Sequence, residues 1–100
     1  MQIRFKTNSL ERQYTDYKEA CKEHGDQIAR KYIERINIIR AAKDINVLMR
    51  IRTLRCHPLR GDREGEWAIK LSGFYRLIFT LEGENLQIAK IEEVSKHYDD

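Results

Sequence analysis

What the chain has little of excludes more than its totals do. It holds two cysteines, Cys21 and Cys56, and one proline, Pro58. One bridge between such distant positions is a thin framework for a secreted domain, so free thiols in a reducing cytosol are expected. No apolar run approaches the ~20 residues needed to span a bilayer. Residues 1–6 also lack the hydrophobic stretch of a signal peptide, which predicts a cytoplasmic protein with no membrane partner. P-loop, G-x-G-x-x-G, H-E-x-x-H and C-x-x-C spacings are all missing, which removes most of the support for the classes they encode. Three histidines (His24, His57, His97) and two widely spread cysteines make a poor zinc set, because structural sites draw ligands from close-spaced pairs. Neither a metal nor a cofactor is expected.

The 100 residues suffice for one domain, covering residues 1–100, and 41% hydrophobic content can bury a modest core. The formal net charge is only +3, but it is unevenly placed. Between residues 50 and 76, Arg50, Arg52, Arg55, Arg60, Arg63, Lys70 and Arg76 face only Asp62, Glu64 and Glu66. The arginine fork suits phosphate better than the point charge of lysine, so a nucleic-acid backbone would reward this bias. A solvated charged face fits the same composition.

Apolar Ile3 and Phe5 alternate with Gln2, Arg4 and Lys6, the period of a strand with one buried face. Asn8 or Ser9 can cap a helix carrying Leu10, Tyr14, Tyr17 and Cys21 and ending at Gly25. Asp26 then caps a second, with Ile28, Tyr32, Ile36 and Ile39 on its buried stripe. Asp44 starts a short turn through Leu48. Beyond the polar loop at 61–65, Trp67, Ile69 and Leu71 alternate, Ser72 and Gly73 turn the chain, and Tyr75, Leu77, Phe79 and Leu81 alternate back. A further β-rich run covers 86–94. This order predicts an α+β fold, with two N-terminal helices packed on a small, mostly antiparallel sheet.

The groups suited to phosphate binding and proton transfer crowd the strand-rich half: His57, Arg60, Arg63, Arg76, Lys96, His97 and Tyr98. If Tyr75, Leu77 and Phe79 face the core, Arg76 faces outward or into a groove. Cleaving RNA through its own 2′-hydroxyl needs a proton acceptor, cations over the phosphoryl oxygens and an acid for the departing 5′ oxygen. Imidazole can move protons at neutral pH, whereas guanidinium can only bind or stabilise. On that division Arg76 and Arg60 hold the phosphate, His57 and His97 transfer protons, and Tyr98 stacks on a base or shares a proton. A lone strand histidine is more often structural than catalytic, and only the company of two histidines with arginine changes that balance. His24 near a helix end is explained by the helix dipole. Trp67 and Phe79 suit the core, and Tyr14, Tyr17 and Tyr32 suit helix packing. Arg50, Arg52 and Arg55 are either a solvated face or a contact with ribosomal RNA.

Residues 54–69, LRCHPLRGDREGEWAI, followed by Tyr75-Arg76-Leu77-Ile78-Phe79, resemble the HigB branch of the RelE toxin family. There an L-x-x-H-P-L-(K/R)-G-D-R-x-G-x-(W/F) segment leads into a (Y/W)-R-L-x-F strand. The resemblance implies a RelE-like microbial ribonuclease fold, cleavage of messenger RNA in the ribosomal A site without metal, and a helix-turn-helix antitoxin of the HigA kind. It puts His57, Arg60 and Arg76 on active-site positions; Arg55, Arg63 and Lys96 are expected, from their charge alone, as further RNA contacts. Where HigB-type chains commonly end in Asp-Tyr-His, this one reads Lys96-His97-Tyr98. The rival expectation is a toxin like the ParE branch, which binds DNA gyrase and cuts nothing, and whose chains typically lack this His and Arg set. A decayed homologue that only binds an antitoxin is a third.

Overall fold

The alternation at the start of the chain becomes β1 (Gln2–Phe5), at one edge of a five-stranded sheet. In the computed structural model, which describes residues 1–96, helices α1 (Asn8–Thr15), α2 (Tyr17–His24), α3 (Asp26–Ala41) and the short α4 (Ile45–Arg50) follow. The chain then forms β2 (His57–Pro58), β3 (Glu66–Ser72), β4 (Tyr75–Glu82) and β5 (Ile88–Lys96), with single 3-10 turns at Arg52–Leu54 and Gly61–Arg63. The sheet order is β1-β5-β4-β3-β2. Only the β1–β5 pair is parallel, and the three others are antiparallel. This is the α+β architecture that the order of elements predicts.

The helices cover one face because the strands bury every second side chain there. Ile69, Leu77, Phe79 and Ile91 meet Tyr32, Ile36 and Ile39 of α3, with Leu48 and Leu54 closing the end of the core. The expected core roles of Trp67, Phe79, Tyr14 and Tyr32 hold, with Trp67 and Tyr14 only partly buried. Arg35 ties helix to sheet. It is buried, donating from Nε to the carbonyl of Lys70 at 3.1 Å while Nη1 pairs with Glu34. Both cysteines are free thiols, and burial in the core pushes Cys56 up to about 12.

Two local features depart from the sequence reading. The single helix expected up to Gly25 is broken at Asp16, which is extended and caps α2 by accepting from the Lys18 amide at 3.0 Å. Thr7, rather than Asn8 or Ser9, caps α1 by accepting from the Leu10 amide. The break rotates the following turn, so Tyr17 is 39% exposed and lines a shallow apolar groove with Ile33, Ile38 and Ala41. Gly25, at φ 82°, takes the cap position of α3, and Asp26 lies inside the first turn, paired with Arg30.

Candidate active site

Strand register decides which side chains share the face away from the helices. His57 lies opposite Ala68, Ala68 opposite Ile78, and Ile78 opposite Glu93. One step along, Lys70, Arg76 and Ser95 form the neighbouring same-face row, and on the other side Glu66, Thr80 and Lys90 form a third. Same-face rows lie about 7 Å apart along the strands. His57 and Arg76 are therefore on one face, in adjacent rows.

His57 is oriented by an unusual neighbour. Arg55 ends the first 3-10 turn in a left-handed conformation, φ 50° and ψ 41°, which few side-chain-bearing residues adopt. Its carbonyl accepts from Nδ1 of His57 at 2.7 Å. A carbonyl can only accept, so the ring carries its hydrogen on Nδ1 and the neutral form presents a lone pair at Nε2. Nε2 is shielded from solvent and has no hydrogen-bond partner among the described residues. A buried polar atom left without a partner is costly, and such atoms collect where chemistry requires them.

Arg76 is on the expected face but buried, 6% exposed, instead of standing open to solvent. Its Nη1 donates to the carbonyls of Gly73 and Tyr75 at 2.9 and 3.0 Å, so the β3–β4 turn holds the guanidinium in place. Arg63 reaches over the same face. Nε meets Glu66 at 2.5 Å and Nη2 meets Glu93 at 2.8 Å, and these carboxylates hold its pKa above the usual arginine value. Arg60 and Arg55 are exposed at the β2 edge and make no ion pair among the described residues, nor do Arg50 and Arg52. Lys96 is exposed, its Nζ 5.9 Å from the centre of the Tyr75 ring. His97 and Tyr98 lie outside the described residues.

Three residues of this face escaped the sequence reading of the site: Lys70, Glu66 and Glu93. Lys70 was legible by parity, since it alternates with the core residues Ile69 and Leu71 just as Arg76 does. No group of three or more possible metal ligands occurs among the described residues, and no described helix is long and apolar enough to cross a membrane.

This arrangement, a histidine next to the Lys70 and Arg76 cations on a mostly antiparallel sheet backed by helices, sits on a chain of known kinship. Residues 3–93 match the family described as the RelE-like toxin of type II toxin-antitoxin system HigB. The chain belongs to that family. The toxin also resembles solved structures, among them the YoeB/ParE toxin from Agrobacterium tumefaciens, 21% identical over 98% of this chain and 100% of that one, with a TM-score of 0.57. YafQ from E. coli is 20% identical over 95% and 91% of the two chains, with a TM-score of 0.58. The heterotetrameric YoeB-YefM toxin-antitoxin complex from Staphylococcus aureus is 18% identical over 98% of each, with a TM-score of 0.61. Identities this low establish a shared fold and nothing finer. No curated protein matches the chain.

Proposed function

We propose that this toxin is a ribosome-dependent messenger RNA endoribonuclease that cleaves by attack of the substrate's own 2′-hydroxyl. The observation that carries the reading is the tautomer of His57. With Nδ1 committed to the Arg55 carbonyl, the neutral ring keeps its lone pair on Nε2, and His57 shares its sheet face with Arg76.

In the reaction Nε2 accepts the 2′-hydroxyl proton, the 2′ oxygen bonds to phosphorus, and the bond from phosphorus to the 5′ oxygen breaks. The products are a 2′,3′-cyclic phosphate and a free 5′-hydroxyl. Arg76 stabilises the charge that builds on the phosphoryl oxygens, and its turn carbonyls fix it before substrate arrives. Arg60 assists from the β2 edge. His97 protonates the departing oxygen, and Tyr98 stacks on a base or shares that proton. Arg55, Arg63 and Lys96 contact the flanking backbone, and none of these steps calls for a metal or cofactor. The inhibitory partner is a helix-turn-helix antitoxin, the site of action is the cytoplasmic ribosome, and one domain holds the whole machinery.

Toeprinting on translating ribosomes tests the proposal. Wild-type toxin should cut within the occupied A site, and Arg76→Ala, His57→Ala and His97→Ala should each cut far less. Full cutting by all three variants rejects the site. Blocked gyrase supercoiling with translated messages left intact would favour the ParE-like alternative.

A further inference from the structure

The Arg63 guanidinium joins two strands that do not touch. Glu66 belongs to β3, opposite Thr80, and Glu93 belongs to β5, opposite Ile78. A group bonded to both must lie above β4, near Ile78 and Thr80, one row from Arg76. The 3-10 turn that carries Arg63 begins at Gly61 and is followed by Gly65, at φ 67° and 96°, conformations that favour glycine. The turn thus reaches in from the β2–β3 connection and is fastened at its far end to β5.

Two carboxylates around one guanidinium leave a net negative charge where the proposed function calls for a cation. They are not equivalent. The Glu66 side chain is 24% exposed and follows Arg63 by three residues, whereas Glu93 is 48% exposed and thirty residues away. An ion pair with one partner so exposed contributes little net stability, because water solvates the freed carboxylate well. A phosphodiester offers the same fork two oxygens in a matching plane.

Building on the RNA-cleaving reading, we propose that Glu93 is a built-in competitor for substrate. Its carboxylate occupies the Arg63 position that an RNA phosphate takes over, so binding exchanges Glu93 for phosphate. The exchange lowers affinity for RNA in general and favours RNA held in place by the ribosome, where local concentration overcomes the competitor. Glu93 is thereby a specificity residue that touches neither proton in the reaction.

The test uses the full chain and a 2′-O-methyl dodecaribonucleotide, which lacks the attacking hydroxyl, with binding followed by fluorescence anisotropy at low salt. Glu93→Gln should bind about three- to tenfold more tightly than wild type. Glu84→Gln, an exposed residue with the same change in charge and no part in the cluster, should shift affinity less than twofold. Adding Arg63→Gln to Glu93→Gln should abolish the gain. Equal affinities for Glu93→Gln and Glu84→Gln, or a gain that survives loss of Arg63, would overturn the competitor. An Arg76→Ala variant reports separately on the face. If it binds like wild type while Glu93→Gln still tightens binding, the proposed active site fails and the competitor stands. Failure of every variant to bind overturns both.

Discussion

Nδ1 of His57 donates to the carbonyl of Arg55 at 2.7 Å, and that carbonyl is in reach because Arg55 adopts a left-handed backbone. The two residues separate what the imidazole needs for orientation from what it needs for chemistry. His57→Asn places an amide donor close to the Nδ1 position and keeps the bond to Arg55, but supplies nothing at Nε2. Its melting temperature should stay near that of wild type, while cleavage on the ribosome should fall about 10²- to 10⁴-fold, the usual contribution of a positioned base. Retention of cleavage by the Asn variant would mean that Nε2 is not the base.

Arg55 combines a backbone role with a charge, and substitution can divide them. Glycine accepts φ 50° without strain, so Arg55→Gly should leave the fold as stable or add a few tenths of a kcal/mol. Arg55→Val keeps no charge either but resists the left-handed region, and should cost about 1–3 kcal/mol in urea unfolding. If Arg55 also contacts RNA, both variants lose affinity alike. Equal stabilities for the pair would show that the observed conformation carries no strain.

Much of the fold was legible because side-chain direction in a strand has period two. The alternation through Trp67, Ile69, Leu77 and Phe79 is enough to put Arg76 on the face away from the helices. The Asp16 break was not legible, since aspartate within an apolar stripe reads equally well as an exposed helical position or as a cap. Nor was the Arg63–Glu93 pair. It depends on a bulge in β5, where Ile78 pairs with Glu93 but Phe79 pairs with Ile91, so that Glu92 is the extra residue. The bulge lets two successive glutamates serve the same face, Glu92 accepting from Thr80 and Glu93 from Arg63. The Arg55 carbonyl was equally hidden, because a left-handed arginine is imposed by tertiary packing and not by local preference.

Arg35 is a buried cation whose loss should be felt in stability. Nε satisfies the Lys70 carbonyl at the edge of the β3 irregularity, and the stem packs between α3 and the sheet. Arg35→Ala removes the donor and the packing together and should cost about 2–4 kcal/mol. Glu34→Gln weakens only a partner that is 53% exposed, and should cost well under 1 kcal/mol. Thermal or urea unfolding of the two variants distinguishes them. Equal losses would show that the ion pair, and not the bond to Lys70, is what fastens the helix.

Alkaline pH should expose the burial of Cys56. The thiol packs in the core with 8% exposure, and desolvation raises its pKa from 9.0 to about 12. A folded-state value above the unfolded one means that the neutral thiol is favoured by folding. The stabilisation is complete below pH 9.0 and is lost as pH climbs from there toward about 12, because the unfolded chain releases the proton first. The slope in that window approaches about 1.4 kcal/mol per pH unit. Tyr32 acts in the same direction, since burial raises its phenol too, but its contribution starts above its ordinary value of 10.0. Urea midpoints at pH 8, 9 and 9.5, all below that value, therefore report chiefly on the cysteine. Wild type should lose stability across them, and Cys56→Ala, though less stable at pH 8 for want of the sulfur's packing, should be nearly flat. Parallel decline of the two proteins would assign the alkaline loss to another group.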